Sequence, residues 1–155
     1  MQSAINEQIN FEMFSANTYL SMSAYFAQQG LDGFAHWYYM QYKEELAHAE
    51  DMMHYVITRG GKVEIKAVAA VETEFNSPLE IAEKAYHHEC LVSEKIENLV
   101  RIASEEKDMP SQDFFWKYIR EQVEEEANAT TLIDRIRLSE GHSLLFLDKE
   151  LGERK

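Results

Sequence analysis

Cysteine is almost absent from this sequence: Cys90 is the single thiol among 155 residues. One thiol cannot build a disulfide framework or a thiolate metal cluster. No apolar run reaches the about 18 residues that a transmembrane helix needs. The pattern of the first residues leads us to expect no signal peptide. We therefore expect a cytoplasmic protein with no membrane partner.

Positive charge is also scarce, because 15 Lys and Arg face 28 Asp and Glu, for a net charge of -13. Such a surface repels nucleic acids and anionic membranes and attracts cations. Hydrophobic residues make up 45% of the chain, which is enough to build a core. The length suits one domain spanning residues 1–155. We expect a globular protein with no nucleic-acid partner.

Glycine and proline are few, six and two, and they fall in groups between long periodic stretches. Within these stretches apolar residues recur at three- and four-residue spacing, as at Val92, Ile96 and Leu99. "NSPLE" is a strong helix start, because Ser77 can cap the helix and Glu80 can complete a capping box. The pattern predicts an all-α chain with helices at about 1–28, 33–59, 78–107, 111–139 and 143–152.

The lengths of the connections predict the direction of the helices. Helices one and two have a short link, as do three and four, so each pair should be antiparallel. About 18 residues, Gly60 to Ser77, join helices two and three. At about 3.3 Å per extended residue they can run the length of a helix of ~40 Å. We therefore expect a four-helix bundle with one long crossover, followed by a short fifth helix.

Two acidic residues lie on helix faces that should be buried. Glu12 has Ile9 and Ala16 as helical neighbours, and Glu89 has Ala85 and Val92. An ionised carboxylate buried alone costs several kcal/mol. These two residues therefore need a cation, or they are less buried than the pattern indicates.

The spacing of four oxygen-bearing residues is regular. Glu12 and Glu45 are 33 residues apart, and so are Glu89 and Gln122. Pairing the two hairpins about a pseudo-twofold axis brings all four to one level of the core, with His48 one turn after Glu45 on the same face. Di-iron carboxylate bundles show this arrangement, with a Glu from each of two helices and Glu-x-x-His from each of the other two.

The two halves of this pattern are unequal. In "EQVEEE", Gln122 stands where a second Glu would be, and Glu125 stands where a second His would be. One metal would therefore have carboxylate and imidazole ligands, and the other a weaker, oxygen-rich set. These ligands suit iron, although zinc or copper could compete. Unequal halves favour transient iron over a permanent cofactor.

Glu12, "EELAH", "HHE", "EQVEEE" and "LLFLDKEL", in this order and spacing, resemble the prokaryotic non-haem ferritins over essentially the whole chain. The resemblance implies a ferritin-like four-helix bundle with one long crossover and a short fifth helix. It further implies a hollow 24-subunit homo-oligomer. In such a shell a ferroxidase centre oxidises iron(II) with dioxygen or hydrogen peroxide, and iron(III) is stored as a mineral.

The resemblance also implies roles for individual positions. Five residues match the family's ferroxidase ligands: Glu12, Glu45, His48, Glu89 and Gln122. Tyr19 matches the tyrosine beside the centre. Four acids match a third iron site of the bacterial branch: Glu44, Glu121, Glu124 and Glu125.

Two related families fit less well. Bacterioferritins place a haem-ligating Met directly after the site Glu of the second helix, where this chain has Leu46. They also have Glu and His in place of Gln122 and Glu125, so we expect no haem. Rubrerythrins need a four-cysteine module, which a single cysteine excludes.

Simpler interpretations stay open for several residues. Glu45 and His48 alone would be typical of a solvated helix face, and only the matched Glu12 and Glu89 favour a metal site. The acids of "EQVEEE" are typical of outward charge, and Tyr19 of a core aromatic. The remaining histidines lack ligand spacing and are expected at surface or packing positions: His36, His54, His87, His88 and His142.

Two other functions also stay open. One is a non-catalytic cage or scaffold, as occurs in ferritin chains that have lost site ligands. The other is a di-iron oxygenase or reductase acting on an organic substrate.

Overall fold

The computed structural model describes residues 1–139 and 143–155, and in these residues it contains five α-helices and no strand. They are α1 (Gln2–Gln28), α2 (Asp32–Thr58), α3 (Pro78–Glu105), α4 (Met109–Leu138) and α5 (Leu144–Leu151). The predicted all-α class is confirmed, and each helix end lies within two residues of its predicted position. None of these helices is long and apolar enough to cross a membrane. His142 lies outside the described residues.

Side-chain caps define where the third and fourth helices begin. The Ser77 hydroxyl accepts a hydrogen bond from the backbone N–H of Glu80, 3.1 Å away, as the capping pattern predicts. Asp108 does the same for α4, because its carboxylate accepts from the N–H of Ser111 at 3.3 Å. The cap at Asp108 starts α4 at Met109, earlier than the predicted position 111.

The crossover between α2 and α3 is extended and attached to α1 by two asparagines. Asn6 accepts a hydrogen bond from the N–H of Glu64 at 2.7 Å and donates to the carbonyl of Lys62 at 2.9 Å. Asn10 repeats this pair one turn later, with the N–H of Lys66 at 2.7 Å and the carbonyl of Glu64 at 2.8 Å. Each amide side chain thus satisfies one donor and one acceptor of the extended backbone.

Buried polar side chains separate two apolar clusters along the bundle. Phe26, Phe34 and Ile81 belong to one cluster, and Ile9 and Met52 belong to the other. Each of the four long helices contributes a buried Glu or Gln to the level between the clusters. These residues, with their exposed fractions, are Glu12 (1%), Glu45 (3%), Glu89 (2%) and Gln122 (6%).

Helix α5 packs against the start of α2. The N–H of Phe34 donates to the Asp148 carboxylate at 2.9 Å, and Leu147 and Leu151 are buried in the first cluster. A Cβ atom at Gly33 would lie 1.6 Å from the carbonyl oxygen of Asp148, so this close approach requires glycine.

Candidate metal centre

Glu12, Glu45 and His48 form a group of metal-ligating side chains in the middle of the bundle. One ligand atom from each lies within 4.8 Å of the other two. Glu12 comes from α1, whereas Glu45 and His48 lie one turn apart on α2, with His48 Nδ1 3.6 Å from Glu45 Oε2. The group offers oxygen and nitrogen ligands to a single ion.

Two carboxylate oxygens in this group are buried and unpaired. Glu12 Oε2 and Glu45 Oε2 have no hydrogen-bond partner among residues 1–139 and 143–155. The other oxygen of Glu12 accepts from the amide of Gln8 at 2.7 Å. An unsatisfied buried acceptor costs about 1–3 kcal/mol, more if it is charged. A divalent cation between these oxygens would satisfy both, so the donor set fits a metal ion.

Burial also changes the acidity of these carboxyls. It raises the pKa of Glu12 well above its ordinary value. Burial likewise raises the pKa of Glu45 to about 8, and the nearby charges of Glu89, Glu44 and Glu125 add to this effect.

Glu89 and Gln122 lie at the same level of the bundle, on α3 and α4. The Tyr19 hydroxyl donates to Oε1 of Glu89, and the Gln122 amide donates to Oε2 at 3.0 Å. Burial raises the pKa of Glu89, although the two hydrogen bonds oppose this rise. Gln122 therefore positions Glu89 through its nitrogen and can offer a metal only its amide oxygen.

Tyr19 lies beside this centre as a buried phenol. Burial first, and then the charges of Glu89 and Glu45, raise its pKa well above the ordinary value. The phenol therefore keeps its proton at neutral pH and acts as a hydrogen-bond donor to Glu89. It also stacks on Tyr38, with ring centroids 6.1 Å apart.

A second group of potential ligands adjoins the first. Ligand atoms of Glu44, His48 and Glu121 also lie within 4.8 Å of one another. His48 Nε2 is 3.2 Å from Glu121 Oε1. Burial lowers the pKa of His48, but the hydrogen bond to Glu121 and the charge of Glu12 outweigh this effect and raise it. His48 thus connects the two groups.

The structure brings only part of the predicted third site together. Glu44 and Glu121 meet at His48, and Glu125 is nearby, accepting a hydrogen bond from Gln41 at 3.0 Å. Glu124 is exposed and belongs to neither group in the described part of the chain. The role of Glu124 at this site therefore stays a prediction.

Three residues that contact the site were not predicted. Gln8 and Gln41 hydrogen-bond Glu12 and Glu125. Gln8 and Gln41 are themselves 33 residues apart and precede Glu12 and Glu45 by one turn, so the same spacing could have identified them. The third, Arg154, binds Glu44 at 3.0 Å from beyond α5, and no periodic signal indicates it.

Comparison with known proteins identifies the family of this chain. Residues 2–139 match the family described as the ferritin-like domain. The chain belongs to the ferritin family. It is 47% identical over 154 residues to the bacterial non-heme ferritin of Bacteroides fragilis (strain 638R), covering 99% of this chain and 97% of the relative. It is 37% identical to that of Staphylococcus aureus (strain MRSA252), over 97% and 92%.

The chain also superposes closely on solved ferritin structures. An open-pore ferritin from the hyperthermophilic archaeon Archaeoglobus fulgidus superposes with a TM-score of 0.98 at 45% identity, covering all of this chain and 96% of that one. A closed form engineered from the same archaeal ferritin gives 0.97 at 45% identity, with the same coverage. The predicted family and bundle topology are confirmed, and family membership supports iron storage.

Proposed function

We propose that the chain is an iron-storage ferroxidase of the bacterial non-haem type. Iron(II) is its substrate, dioxygen or hydrogen peroxide its oxidant, and iron(III) is stored as a mineral inside a homo-oligomeric shell in the cytoplasm. The observation that carries this proposal is the pair of buried, unpaired oxygens of Glu12 and Glu45 beside His48. They form a prepared position for a cation in the middle of a ferritin bundle.

Two iron(II) ions have distinct sets of ligands in this proposal. Glu12, Glu45 and His48 hold the first ion. Glu45, Glu89 and the amide oxygen of Gln122 hold the second, so Glu45 bridges the pair. The second set lacks an imidazole and includes a neutral amide, which makes it the weaker one. A weakly held ion suits iron that moves on to a mineral.

The electron balance is simple. Each iron(II) loses one electron, and two electrons with two protons reduce dioxygen to hydrogen peroxide, or hydrogen peroxide to two waters. Glu45, whose pKa is raised to about 8, releases a proton when iron binds at neutral pH, and the raised pKa of Glu12 favours the same exchange. Tyr19 positions Glu89 and is a candidate one-electron donor beside the centre.

Oligomerisation is also proposed, as a shell of 24 subunits. Three large apolar side chains near α5 are exposed in the single chain: Leu138 (86%), Leu145 (73%) and Phe146 (67%). Exposed apolar clusters of this kind are typical of protein–protein contacts. A shell of 24 chains of 18.1 kDa has a mass of about 430 kDa, which light scattering distinguishes from a monomer or dimer.

Oxidation kinetics test the proposed activity. The assembled protein is loaded anaerobically with iron(II) and mixed with oxygenated buffer, and the ferric absorbance is followed. A fast phase should saturate at about two to three irons per chain. Glu45→Ala and His48→Ala should abolish it, whereas Glu50→Ala, an exposed acid on the same helix, should not. A fast phase that survives both site substitutions would show that the assignment is wrong.

The same experiment separates the other two functions. A cage without catalysis would take up iron slowly, with no saturable fast phase. An oxygenase or reductase would turn over an organic substrate, and its rate would depend on that substrate rather than on the iron added.

A further inference from the structure

Arg154, which follows α5, reaches back to α2 and is held there by several contacts. Its guanidinium donates to Glu44 Oε2 at 3.0 Å and to the carbonyl of Trp37 at 3.2 Å. The same guanidinium lies over the Trp37 ring, 4.4 Å from the centroid. The Arg154 carbonyl accepts a hydrogen bond from His36 Nε2 at 2.6 Å. Arg154 is therefore held through both its backbone carbonyl and its guanidinium.

The pair of Arg154 and Glu44 differs from ordinary surface ion pairs. Its side chains are only 20% and 29% exposed, against 54% and 43% for Arg137 and Glu83. A guanidinium that stacks on an aromatic ring and donates in two directions loses little further freedom when it pairs. The contact with Glu44 should therefore persist in solution.

Glu44 is also a potential metal ligand. It shares a ligand group with His48 and Glu121, and the charge of Arg154 acts on Glu125 as well, lowering its pKa against the larger effect of burial. A positive side chain is thus already placed at the edge of the acids that would hold a third iron. A dication bound there would lie close to a like charge.

We propose that Arg154 is a tethered competitor for the third metal ion: its guanidinium neutralises Glu44 while that position is empty, and an entering dication must displace it. This inference rests on the proposed function, because it takes the group of Glu44, His48 and Glu121 as the position of a third iron beside the paired site. The consequence is a third site that fills only after the paired site and empties readily. Arg154 is a positioning residue here, since it acts through Glu44.

Zinc titration of the assembled, iron-free protein tests the inference without redox chemistry. Calorimetry should resolve two tighter zinc ions per chain and one weaker ion. Arg154→Gln should raise the affinity for the third zinc ion about tenfold and leave the affinities for the first two unchanged. Arg154→Lys keeps the charge but loses the planar guanidinium, so the affinity for the third zinc ion should rise less than in Arg154→Gln. The control Arg137→Gln, which removes a surface pair with Glu83, should change none of the three.

A double-mutant cycle separates competition from a structural effect. In a Glu44→Gln background, where Arg154 acts on the site only through its charge near Glu125, the effect of Arg154→Gln on the third ion should shrink. Unchanged or weaker binding of the third ion in Arg154→Gln would overturn the inference, as would an undiminished effect in the Glu44→Gln background. If the wild-type protein bound none of the first two ions, the proposed function itself would fail, which is a different outcome.

Discussion

The amide nitrogen of Gln122 lies 3.0 Å from Oε2 of Glu89, so a neutral side chain on α4 holds a buried carboxylate on α3. A glutamate at position 122 would place a second carboxylate there instead. The amide therefore has two effects: it stabilises Glu89 in the empty site, and it limits the negative charge available to the second iron.

Gln122→Glu should tighten the second ion and destabilise the empty protein. We expect about tenfold tighter binding of the second zinc in calorimetry, because an anionic ligand replaces a neutral one. In the presence of a chelator the melting temperature should fall, because two buried carboxylates then repel each other. Gln28→Glu, at an exposed position on α1, is the control and should change neither quantity. Equal affinity in wild type and Gln122→Glu would show that residue 122 contacts no metal.

Tyr19→Phe should slow iron oxidation without abolishing it. The substitution removes the donor to Glu89 and keeps the ring in the core. We expect the fast phase to slow several-fold and the free energy of unfolding to fall by about 1 kcal/mol. Stopped-flow absorbance and chemical denaturation measure the two effects. The control Tyr39→Phe, at a 43% exposed position on α2, should change neither the fast phase nor the free energy of unfolding. A fast phase equal to wild type in Tyr19→Phe would exclude a role for the phenol.

Metal binding should release protons, and more of them at lower pH. The pKa of Glu45 is raised to about 8, so this carboxyl holds a proton at neutral pH in the empty site, and the pKa of the neighbouring Glu12 is raised as well. The ion must displace the proton of Glu45, and its apparent affinity should fall as the pH drops below about 8. Calorimetry of zinc binding in two buffers of different ionisation enthalpy measures the release. Identical heats in both buffers would contradict the raised pKa values.

Gly33→Ala should detach α5 from the bundle. The added Cβ would lie 1.6 Å from the Asp148 carbonyl oxygen, a backbone atom that cannot move aside without shifting the helix. We expect a loss of about 1–3 kcal/mol in the free energy of unfolding, as for other overpacked contacts. Gly152→Ala is the matched control, since its nearest contact is an ordinary 3.4 Å. Similar stability for the two variants would mean that α5 is not held at Gly33.

Much of the fold could be predicted because local signals and spacing agreed. Ser77 and Glu80 marked the start of α3 through side-chain chemistry that acts within one turn. The long link between α2 and α3 left a parallel arrangement of these helices as the simplest one. The start of α4 was less clear, because Asp108 rather than a residue nearer position 111 provides the cap.

The site was predictable where it follows helical periodicity and not where it depends on tertiary contacts. Glu12 and Glu45 are 33 residues apart, as are Glu89 and Gln122, so their common level could be inferred. The acids of "EQVEEE" were harder to assign, because a run of adjacent acids does not show which of them faces inward. Arg154 was missed because its contact with Glu44 depends on how α5 docks, and sequence spacing carries no information about that docking.

Anomalous diffraction from crystals soaked anaerobically with iron(II) tests the central claim most directly. Two iron peaks per chain should occupy the bundle centre, one contacted by Glu12, Glu45 and His48, and the other by Glu45, Glu89 and Gln122. Data collected on both sides of the iron absorption edge would identify the metal. Iron peaks confined to the surface, with the oxygens of Glu12 and Glu45 still unoccupied, would contradict the paired centre.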